Sequence, residues 1–489
     1  MLLISIKPKS TTPIFKQIIS QISDMIEKEI IRPGERIPAS REMAVDLGVN
    51  RSTVYRAYQE LQALGYLESK PGSYMTVRKR KKTVVHLNDF HRGIIDWSKS
   101  SNRQSQELFS LFHYFKAEKN SSEHNCINFS RLDMDHRLMP VTDFRRCLNE
   151  VLINEGQRIM EYGDYAGYYP LREYIAQRMQ IHGISARPEQ ILITNGSQQA
   201  LDLILKMLTI PGNKVALEAP TYAIAIPLFL FYRVEPIEIE MKNDGLSLVA
   251  LEKTIQTDKP VFLYTIPNFQ NPTGITTSQN HREKVLSICE NYNLPLVEDG
   301  FEEEMKYFGK VALPIKSMDR NSQVLYLGTF SKVLFPGIRI GWILAEKECI
   351  ERLTAIRRFC DLSSNTLTQS ALNHFCRRGY YELHIKRMHR IFRKRMQTAF
   401  NALAHYMPQN VSWTKPEGGY TIWLQLPREY QDKNQLLEVL NKHGVNASPG
   451  EYYFAKLHPK KYLRLSIATL DESEILEGII RLGRAINEL

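Results

Sequence analysis

The sequence predicts an α/β protein in which a mainly parallel sheet with crossover helices follows a small, separate helical module. Between about residues 190 and 345, short apolar runs alternate with amphipathic stretches, which is typical of buried parallel strands linked by helices. Before residue 80 the apolar residues follow helical spacing instead, and the charge is strongly basic. A chain of 489 residues is long enough for two or three domains.

The composition argues against several classes of protein, namely membrane-spanning, secreted, disulfide-rich and zinc-binding proteins. The chain is 43% hydrophobic and 24% charged, as in ordinary globular proteins, and no apolar run approaches the ~20 residues of a membrane span. The start, "MLLISIKPKS", lacks the features of a secretory signal. Six cysteines are scattered without disulfide or zinc-site spacing. We therefore expect a cytoplasmic protein with no metal site and no membrane partner.

The first eighty residues predict a winged helix-turn-helix. Residues 1–82 contain 15 Lys and Arg against 8 Asp and Glu, a net charge of +7. Apolar residues keep helical spacing from Ile14 to Ile31, and Pro33-Gly34 ends that helix. Ser40 and Asn50 are each placed to cap a further helix, and "GYLES", "KPGS" and "YMTV" read as strand, turn and strand.

The exposed start of the third predicted helix is rich in hydrogen-bond donors. Arg51, Ser52, Thr53, Tyr55 and Arg56 suit base edges and phosphates at the end of a recognition helix that enters the major groove. Helical spacing alone leaves a three-helix protein-docking module open. The basic charge of this end of the chain favours double-stranded DNA as the partner.

The stretch "PGERIPASREMAVDLGVNRSTVYRAYQELQALGYLESKPGS" resembles the winged-helix domain of GntR-type bacterial transcription regulators. The resemblance implies a DNA-binding domain at 1–78. From 79 to 125 no periodic pattern persists, and we interpret this stretch as a linker. At the wing tip the chain has Tyr74, Met75 and Thr76 where that family usually has glycine and a Thr-Phe pair. The DNA-contacting positions that the resemblance implies are Arg41, Arg51, Ser52, Thr53 and Arg56.

In the larger part, functional residue types follow the carboxyl ends of five predicted strands, "QILIT", "KVALEAP", "VFLYTIP", "LPLVEDG" and "QVLYLGTF". Ligands of parallel sheets bind at this edge. Taken singly, each residue has a structural explanation as a cap, a turn, a core aromatic or a solvated charge, but their joint placement favours one site. The residues are Gly196, Ser197 and Gln198; Tyr222; Asn271; Glu298 and Asp299; and Thr329, Ser331, Lys332 and Arg339.

Together these side chains suit a flat, phosphorylated heterocycle that carries an aldehyde. The Lys332 amine can condense with the aldehyde, and a dry setting lowers its pKa. Asp299 would keep a ring nitrogen protonated, and Asn271 would donate to a phenolate oxygen. Tyr222 would stack on the ring. The helix N-terminus at Gly196, Ser197 and Gln198, with Thr329 and Arg339, would hold the phosphate. The predicted cofactor is pyridoxal 5′-phosphate.

Five further stretches resemble landmarks of the fold-type I aminotransferases, over roughly residues 126 to 485. They are "YGDYAGYYPLREYIAQRM", "PNFQNPTG", "TFSKVLFPGIRIGW", "PEGGYTIW" and "YLRLSIA". The resemblance implies an aminotransferase-like, pyridoxal-phosphate-binding domain at 126–489, with Lys332 and Asp299 as catalytic residues. It also implies that Arg464 binds a substrate α-carboxylate. Phe301 stands where relatives commonly have a tyrosine that reaches the cofactor.

A GntR-type winged helix joined to an aminotransferase-like domain resembles the MocR subfamily of regulators. The resemblance implies a homodimeric, pyridoxal-phosphate-dependent transcription regulator that senses an amine, an amino acid or the cofactor itself. A working aminotransferase that transfers an amino group to a keto acid remains open, because every cofactor residue is present. A DNA-binding protein with a relic domain that binds no cofactor is disfavoured by the intact Lys332, Asp299 and Arg339.

Overall fold

The computed structural model describes residues 4–7, 10, 12–70, 74–79, 95–116, 126–309, 312–456 and 459–489. The basic run at 80–82, the wing turn at 71–73 and much of the predicted linker lie outside the described residues. The chain divides into two compact units, Met1–Trp97 and Ser98–Leu489. None of the helices among the described residues is long and apolar enough to cross a membrane.

The smaller unit is a three-helix module with a two-stranded wing. Its apolar core contains Ile18 and Ile22 from the first helix and Val54 and Leu61 from the third, all fully buried. The two strands pair antiparallel, with Leu67 opposite Val77. This confirms the predicted winged helix-turn-helix. Its elements are α1 (Ile14–Glu27), α2 (Ser40–Asp46), α3 (Arg51–Ala63), β1 (Leu67–Lys70) and β2 (Tyr74–Val77).

One of the two predicted helix caps is confirmed. Asn50 Oδ1 accepts a hydrogen bond from the Ser52 backbone amide at 3.0 Å, so Asn50 caps α3. The predicted cap at Ser40 is wrong, because α2 begins one residue earlier than its hydroxyl would require. Ala39 is the N-cap residue, and the Glu42 carboxylate accepts from the Ala39 amide at 3.1 Å.

The larger unit is an α/β domain with a smaller, mixed region at its carboxyl-terminal side. Its helices are α4 (Trp97–Ser100, at the division between the units), α5 (Arg103–Lys116), α6 (Val141–Glu155), α7 (Tyr169–Met179), α8 (Ser197–Leu208), α9 (Ala225–Phe231), α10 (Leu248–Asp258), α11 (Gln279–Asn291), α12 (Lys347–Asp361), α13 (Thr366–Arg377), α14 (Tyr380–Tyr406), α15 (Lys433–Lys442) and α16 (Glu472–Glu488).

Its strands form three sheets. They are β3 (Ile127–Asn128), β4 (Ile191–Thr194), β5 (Lys214–Ala219), β6 (Glu235–Lys242), β7 (Gly245–Leu246), β8 (Leu263–Thr265), β9 (Leu296–Asp299), β10 (Val324–Thr329), β11 (Gly341–Leu344), β12 (Ser412–Trp413), β13 (Thr421–Gln425), β14 (Val445–Asn446), β15 (Ser448–Pro449) and β16 (Tyr462–Ser466).

The central sheet has the strand order β4-β11-β10-β9-β8-β5-β6-β7. The neighbours from β10 through β9, β8 and β5 to β6 are parallel, whereas β11 runs antiparallel between β10 and β4. The mainly parallel sheet is therefore confirmed, and all five predicted strands are present as β4, β5, β8, β9 and β10. Because these five strands run in the same direction within one sheet, their carboxyl ends meet at one edge.

The carboxyl-terminal region completes the surroundings of that edge. Strands β12, β13, β16 and β15 form a second sheet, in which Arg464 of β16 lies opposite Trp423 of β13. The short strand β3 pairs in parallel with β14, which ties the start of this unit to its end. Helix α5 falls within the predicted linker, and its Gln104 side chain donates to the Phe231 carbonyl at 3.4 Å.

Candidate functional site

The edge where the strands end holds the predicted side chains. Asp299 is the last residue of β9, and Thr329 is the last residue of β10. Gly196 and Ser197 connect β4 to α8, and Tyr222 and Asn271 follow β5 and β8. A cavity of about 210 Å³ brings together Tyr222, Asn271, Lys332 and Arg464. Its remaining lining is Ser130, Leu132, Asp133, Ala223, Ile224, Ser448, Tyr452 and Tyr453.

Lys332 lies just after β10 and reaches this cavity. Its Nζ donates to the Leu132 carbonyl at 2.9 Å, and the Tyr420 hydroxyl donates to the Lys332 carbonyl at 2.8 Å. Burial lowers the pKa of Lys332, while the negative charges of Asp133 and Glu302 oppose that change. The structure therefore favours the neutral, nucleophilic amine more than an exposed lysine would.

Asp299 is buried, and only one of its two carboxylate oxygens accepts a hydrogen bond from a side chain in the described residues. Its Oδ2 accepts from the Tyr264 hydroxyl at 2.7 Å, whereas Oδ1 has no hydrogen-bond partner among the described residues. Burial raises the pKa of Asp299 to about 6, and the bond from Tyr264, a backbone hydrogen bond from Phe301 and the charge of Lys332 oppose the rise. Asn271 Oδ1 is likewise buried without a partner in the described part of the chain. Both groups are placed to bond to a ligand.

A corner for an anionic group lies beside Arg339. Its Nη2 donates to the Asn195 carbonyl at 2.9 Å, and its Nη1 donates to Ser331 Oγ at 3.1 Å. Gly196 has a φ of +83°, and a Cβ there would collide with Arg339 Nη2. Helix α8 begins at Ser197 without a side-chain cap, so its first amides remain available for an anion.

Two other predicted phosphate ligands are near this corner. The Thr329 hydroxyl accepts from the Ser331 amide at 3.1 Å and donates to the Ile340 carbonyl at 3.2 Å. The Gln198 Nε2 donates to the Ile224 carbonyl at 3.4 Å, while its Oε1 is buried without a partner in the described residues. The hydroxyl of Thr329 is thus already engaged with the backbone, and Gln198 retains one free acceptor.

Arg464 approaches the cavity from the second sheet. Its Nη2 donates to the Ser130 carbonyl, and its guanidinium lies 5.5 Å from the centre of the Tyr453 ring. Its Nε is buried and has no partner among the described residues. A buried guanidinium with a free donor suits a carboxylate, which it can bind by charge-assisted hydrogen bonds.

The smaller unit presents four of the five predicted DNA ligands as exposed side chains, namely Arg41, Arg51, Ser52 and Arg56, while Thr53 is half-buried. Two of them already have local partners. The Ser52 hydroxyl donates to Asn50 Oδ1 at 2.9 Å, and the Arg56 guanidinium lies 4.0 Å from the centre of the Phe15 ring. At the wing, Arg36 stacks over Tyr74 at 3.8 Å, and Thr76 is buried.

Comparison with known proteins assigns both units. Residues 124–482 match the family described as "Aminotransferase class I and II". The chain belongs to this aminotransferase family. Residues 15–77 match the family "Bacterial regulatory proteins, gntR family". The chain is therefore a GntR-type DNA-binding regulator fused to a class I and II aminotransferase domain, consistent with the predicted MocR-type layout.

Relatives of this aminotransferase-family chain include regulators and enzymes. The "Uncharacterized HTH-type transcriptional regulator YdfD" of Bacillus subtilis is 30% identical over 99% of this chain and 98% of its own length. The "Aromatic-amino-acid aminotransferase 1" of Thermococcus litoralis is 38% identical over 71% of this chain and 85% of its own. The crystal structure of LysN, an α-aminoadipate aminotransferase from Thermus thermophilus complexed with N-(5′-phosphopyridoxyl)-L-leucine, has a TM-score of 0.74 at 31% identity. The match covers 81% of this chain and 99% of LysN.

Membership in this family assigns pyridoxal 5′-phosphate as the cofactor. The residues present fit it. Asp299 Oδ1 is a free, buried acceptor for a protonated ring nitrogen, Lys332 offers an amine of lowered pKa, and the corner at Gly196 and Arg339 suits a phosphate. The aminotransferase-family fold therefore retains the chemical groups that this cofactor needs.

The sequence pattern does not indicate the roles of two residues near the site, Tyr264 and Glu302. Tyr264 lies in the apolar run "VFLYTIP", where it reads as an ordinary core residue, and only the fold brings its hydroxyl to Asp299. Glu302 lies in "FEEEM", which reads as a solvated acidic run, yet it is 1% exposed and acts electrostatically on Lys332. Phe301 occupies the position at which relatives commonly have a tyrosine, and its side chain is buried in the core that includes β8 and β9.

Proposed function

We propose that this chain is a cytoplasmic, homodimeric transcription regulator that senses an amine, an amino acid or pyridoxal phosphate itself. The observation that carries the proposal is the joining of a gntR match at residues 15–77 to an aminotransferase domain whose lysine faces a cavity. The proposed division of labour is DNA binding by 1–78, connection by 79–125 and ligand binding by 126–489. Occupancy of the cavity would bias the affinity of the protein for its operator.

Within the cavity, each residue has a proposed task. Pyridoxal phosphate, when bound, supplies an aldehyde that reacts reversibly with amines and a protonated ring that withdraws electrons. Lys332 holds the cofactor and competes with an incoming amine, and Asp299 keeps the ring nitrogen protonated. Arg339 and the α8 N-terminus hold the phosphate, with Tyr222 and Asn271 on the ring. Arg464 selects effectors that carry a carboxylate.

A homodimer is supported by an exposed apolar surface on the larger unit. Ile153, Tyr162 and Phe359 are 79%, 82% and 89% exposed, and a contiguous exposed apolar patch is typical of a protein–protein interface. Met160 and Leu362 are also exposed, and Gly163 lies against Thr366, which places the two segments side by side. A two-fold dimer would also match paired operator half-sites.

The test compares wild-type protein with Lys332→Ala in an operator-binding titration, with and without candidate amines and pyridoxal phosphate. We expect the variant to bind the operator as wild type does, because DNA contact resides in residues 1–78. Its affinity should no longer respond to an amine. An operator affinity of the wild type that is indifferent to every ligand would contradict the sensing role.

The second candidate function is an active aminotransferase, favoured by the intact Lys332, Asp299 and Arg464 and by the likeness to aminotransferase enzymes. A keto-acid turnover assay on the same preparations separates the two. Turnover at ordinary enzyme rates, on the order of one per second or faster, with ligand-insensitive operator binding, would favour the enzyme.

A further inference from the structure

The connection between β4 and α8 (residues 193–197, the β4–α8 turn) is held by side chains from outside it. Arg357 of α12 donates through Nη1 to the Ile193 carbonyl, and Arg339 donates through Nη2 to the Asn195 carbonyl at 2.9 Å. Gln199 Oε1 accepts from the Asn195 backbone amide at 2.8 Å. Three backbone groups of the turn are therefore paired with side chains. The α8 amides that we propose for the phosphate follow the turn directly, so its conformation sets their direction.

Asp361, the last residue of α12, fixes the orientation of the Gln199 amide group. Gln199 Nε2 donates to Asp361 Oδ2 at 3.0 Å, and Asn195 Nδ2 donates to the same oxygen at 3.5 Å. An ionised carboxylate only accepts hydrogen bonds, whereas a glutamine side chain has one donating and one accepting end. Because Asp361 takes the donating end, Gln199 presents its oxygen to the Asn195 backbone amide.

The Asp361 carboxylate is held in turn by Arg357, one helical turn earlier on α12. Arg357 Nε and Asp361 Oδ1 form an ion pair at 3.3 Å, and the Arg357 side chain is buried. Arg357 also bonds to the carbonyl of Ile193 in β4. Asp361 therefore has one oxygen directed to α12 and the other to α8, and the arginine that anchors it is itself attached to the β4–α8 turn.

The β4–α8 turn also packs closely on other elements. A Cβ on Gly341 of β11 would lie 2.8 Å from Gly196 Cα, and a Cβ on Gly196 would collide with Arg339 Nη2. Close packing of this kind leaves little room for an alternative backbone position. A shift of the turn would therefore change the position of the first α8 amides relative to Arg339, which completes the anion corner.

We propose that Asp361 is a positioning residue for the cofactor phosphate and acts through Gln199. By fixing the Gln199 amide group, it fixes the Asn195 backbone and so the direction of the first α8 amides. Amides that are already in place bind an anion without the cost of ordering the turn. The inference rests on the proposed assignment of the phosphate to the corner beside Arg339. It goes beyond that assignment, because neither Asp361 nor Gln199 is itself a proposed phosphate ligand.

The test compares pyridoxal 5′-phosphate with pyridoxal, which lacks the phosphate, in absorbance titrations of full-length protein stripped of cofactor. In Asp361→Ala the affinity for pyridoxal phosphate should fall about tenfold, while the affinity for pyridoxal should stay within about twofold of wild type. A role confined to packing α12 on α8 would change both affinities alike. The difference between the two ligands therefore separates positioning of the phosphate site from a general structural role.

Asp202→Ala is the matched control. Asp202 lies on α8, and its side chain is 26% exposed against 24% for Asp361. It accepts from Lys206 at 2.8 Å and from the Tyr232 hydroxyl at 2.6 Å rather than from the β4–α8 turn. The affinities of Asp202→Ala for both ligands should match those of wild type.

Two further variants test the path through Gln199. Gln199→Leu removes both ends of the amide group and should reproduce the selective loss. The double variant should lose no more than Gln199→Leu alone, because two residues that act in series are not additive. Asp361→Asn keeps an acceptor for Gln199 and preserves the shape of the side chain, so it should give a smaller loss that is again confined to pyridoxal phosphate. Denaturant unfolding of each variant checks that it is folded.

Equal losses for the two ligands would overturn the proposal, as would an affinity for pyridoxal phosphate that is unchanged in Asp361→Ala and Asp361→Asn. The same selective loss in Asp202→Ala would also overturn it, and additive losses in the double variant would show that Asp361 does not act through Gln199. In each of these cases the wild type still prefers pyridoxal phosphate to pyridoxal, and the phosphate corner stands. A wild type that binds the two ligands equally would contradict the corner itself, and this inference with it.

Discussion

Helix α3 and the cavity region of the larger unit both carry side chains that we propose for binding, but the surroundings of those side chains differ. On α3 the donors are exposed to water or have a local partner, as with Ser52 on Asn50 and Arg56 on Phe15. At the sheet edge beside the cavity, Asp299 and the cavity-lining Asn271 each keep a buried oxygen without a partner in the described residues.

The difference shows how far the structure of each region indicates which atoms contact a ligand. An exposed donor costs no free energy in the absence of DNA, because water accepts its hydrogen bond. A buried polar atom without a partner costs about 1–3 kcal/mol, so the oxygens of Asp299 and Asn271 that lack a partner in the described residues are candidates for contact with a ligand. These oxygens indicate individual candidate contacts, whereas α3 indicates only a face.

The largest effect should come from Asp299, at the end of β9. Asp299→Ala removes the buried acceptor for the protonated ring nitrogen, and loss of one member of a buried charge pair costs about 2–5 kcal/mol. We expect the affinity for pyridoxal phosphate, measured by absorbance titration, to fall by about 100-fold or more. Operator binding by the same variant without ligand should match wild type. A loss below about tenfold would show that the free oxygen is not a ligand contact.

Gly196→Ala tests the phosphate corner and should have the next largest effect. The new Cβ would displace the Arg339 guanidinium, and the loss of a charge-assisted contact should reduce cofactor affinity about 30-fold. Gly212→Ala is the matched control, because Gly212 also has a positive φ, +89°, but nothing within 4 Å of its Cβ position.

Both alanine variants should lose about 1–2 kcal/mol of folding stability from the left-handed backbone, measured by denaturant unfolding. Only Gly196→Ala should also lose cofactor affinity. Equal cofactor affinities would mean that the corner tolerates a shifted Arg339.

Tyr264→Phe should have a smaller, pH-dependent effect. The hydroxyl bond to Asp299 lowers the pKa of that carboxyl, so its removal raises the pKa and leaves Asp299 protonated to higher pH. Cofactor affinity should fall about tenfold, and the loss should be greater near pH ~6 than near pH ~8, because the carboxyl titrates around the lower value. Tyr326→Phe, a buried tyrosine on β10 that is not bonded to Asp299, should leave the pH profile unchanged.

The functional residues at the strand ends were predictable because the sequence pattern that marks them is local. Each apolar run is followed directly by its functional residue, and parallel strands place those residues at one edge whatever their exact packing. The sequence thus predicted the edge that holds Asp299, Asn271 and Lys332. Asn50 was predictable as a cap for the same reason, since its bond spans two residues.

Tyr264 and Glu302 were not predictable, because their roles depend on contacts distant in sequence. Tyr264 bonds to a side chain 35 residues away, and nothing in an apolar strand distinguishes a hydroxyl that has a functional partner. Three consecutive glutamates are typical of a solvated surface segment. Only the packing of Glu302 against the backbone at Gly419 shows that this side chain is buried. Arg56 was predicted to contact DNA, but its stacking on Phe15 depends on how α1 packs against α3.

The smallest effect should come from Arg56 on the recognition helix, and it separates phosphate contact from base readout on this face. Stacking on Phe15 holds the guanidinium at the side of α3, so Arg56→Ala should weaken binding to cognate and random duplexes alike, by about threefold. Arg51, exposed at the first turn of α3, should behave differently. Arg51→Ala should reduce the preference for the cognate site more than it reduces non-specific binding.

The measurement is a fluorescence anisotropy titration of full-length protein on both duplexes at several salt concentrations. Arg56→Ala should also lower the salt dependence by about one counterion, as the loss of one phosphate contact requires. If Arg56→Ala instead erased the preference for the cognate site while Arg51→Ala did not, the base-reading face of α3 would lie on the Phe15 side of the helix.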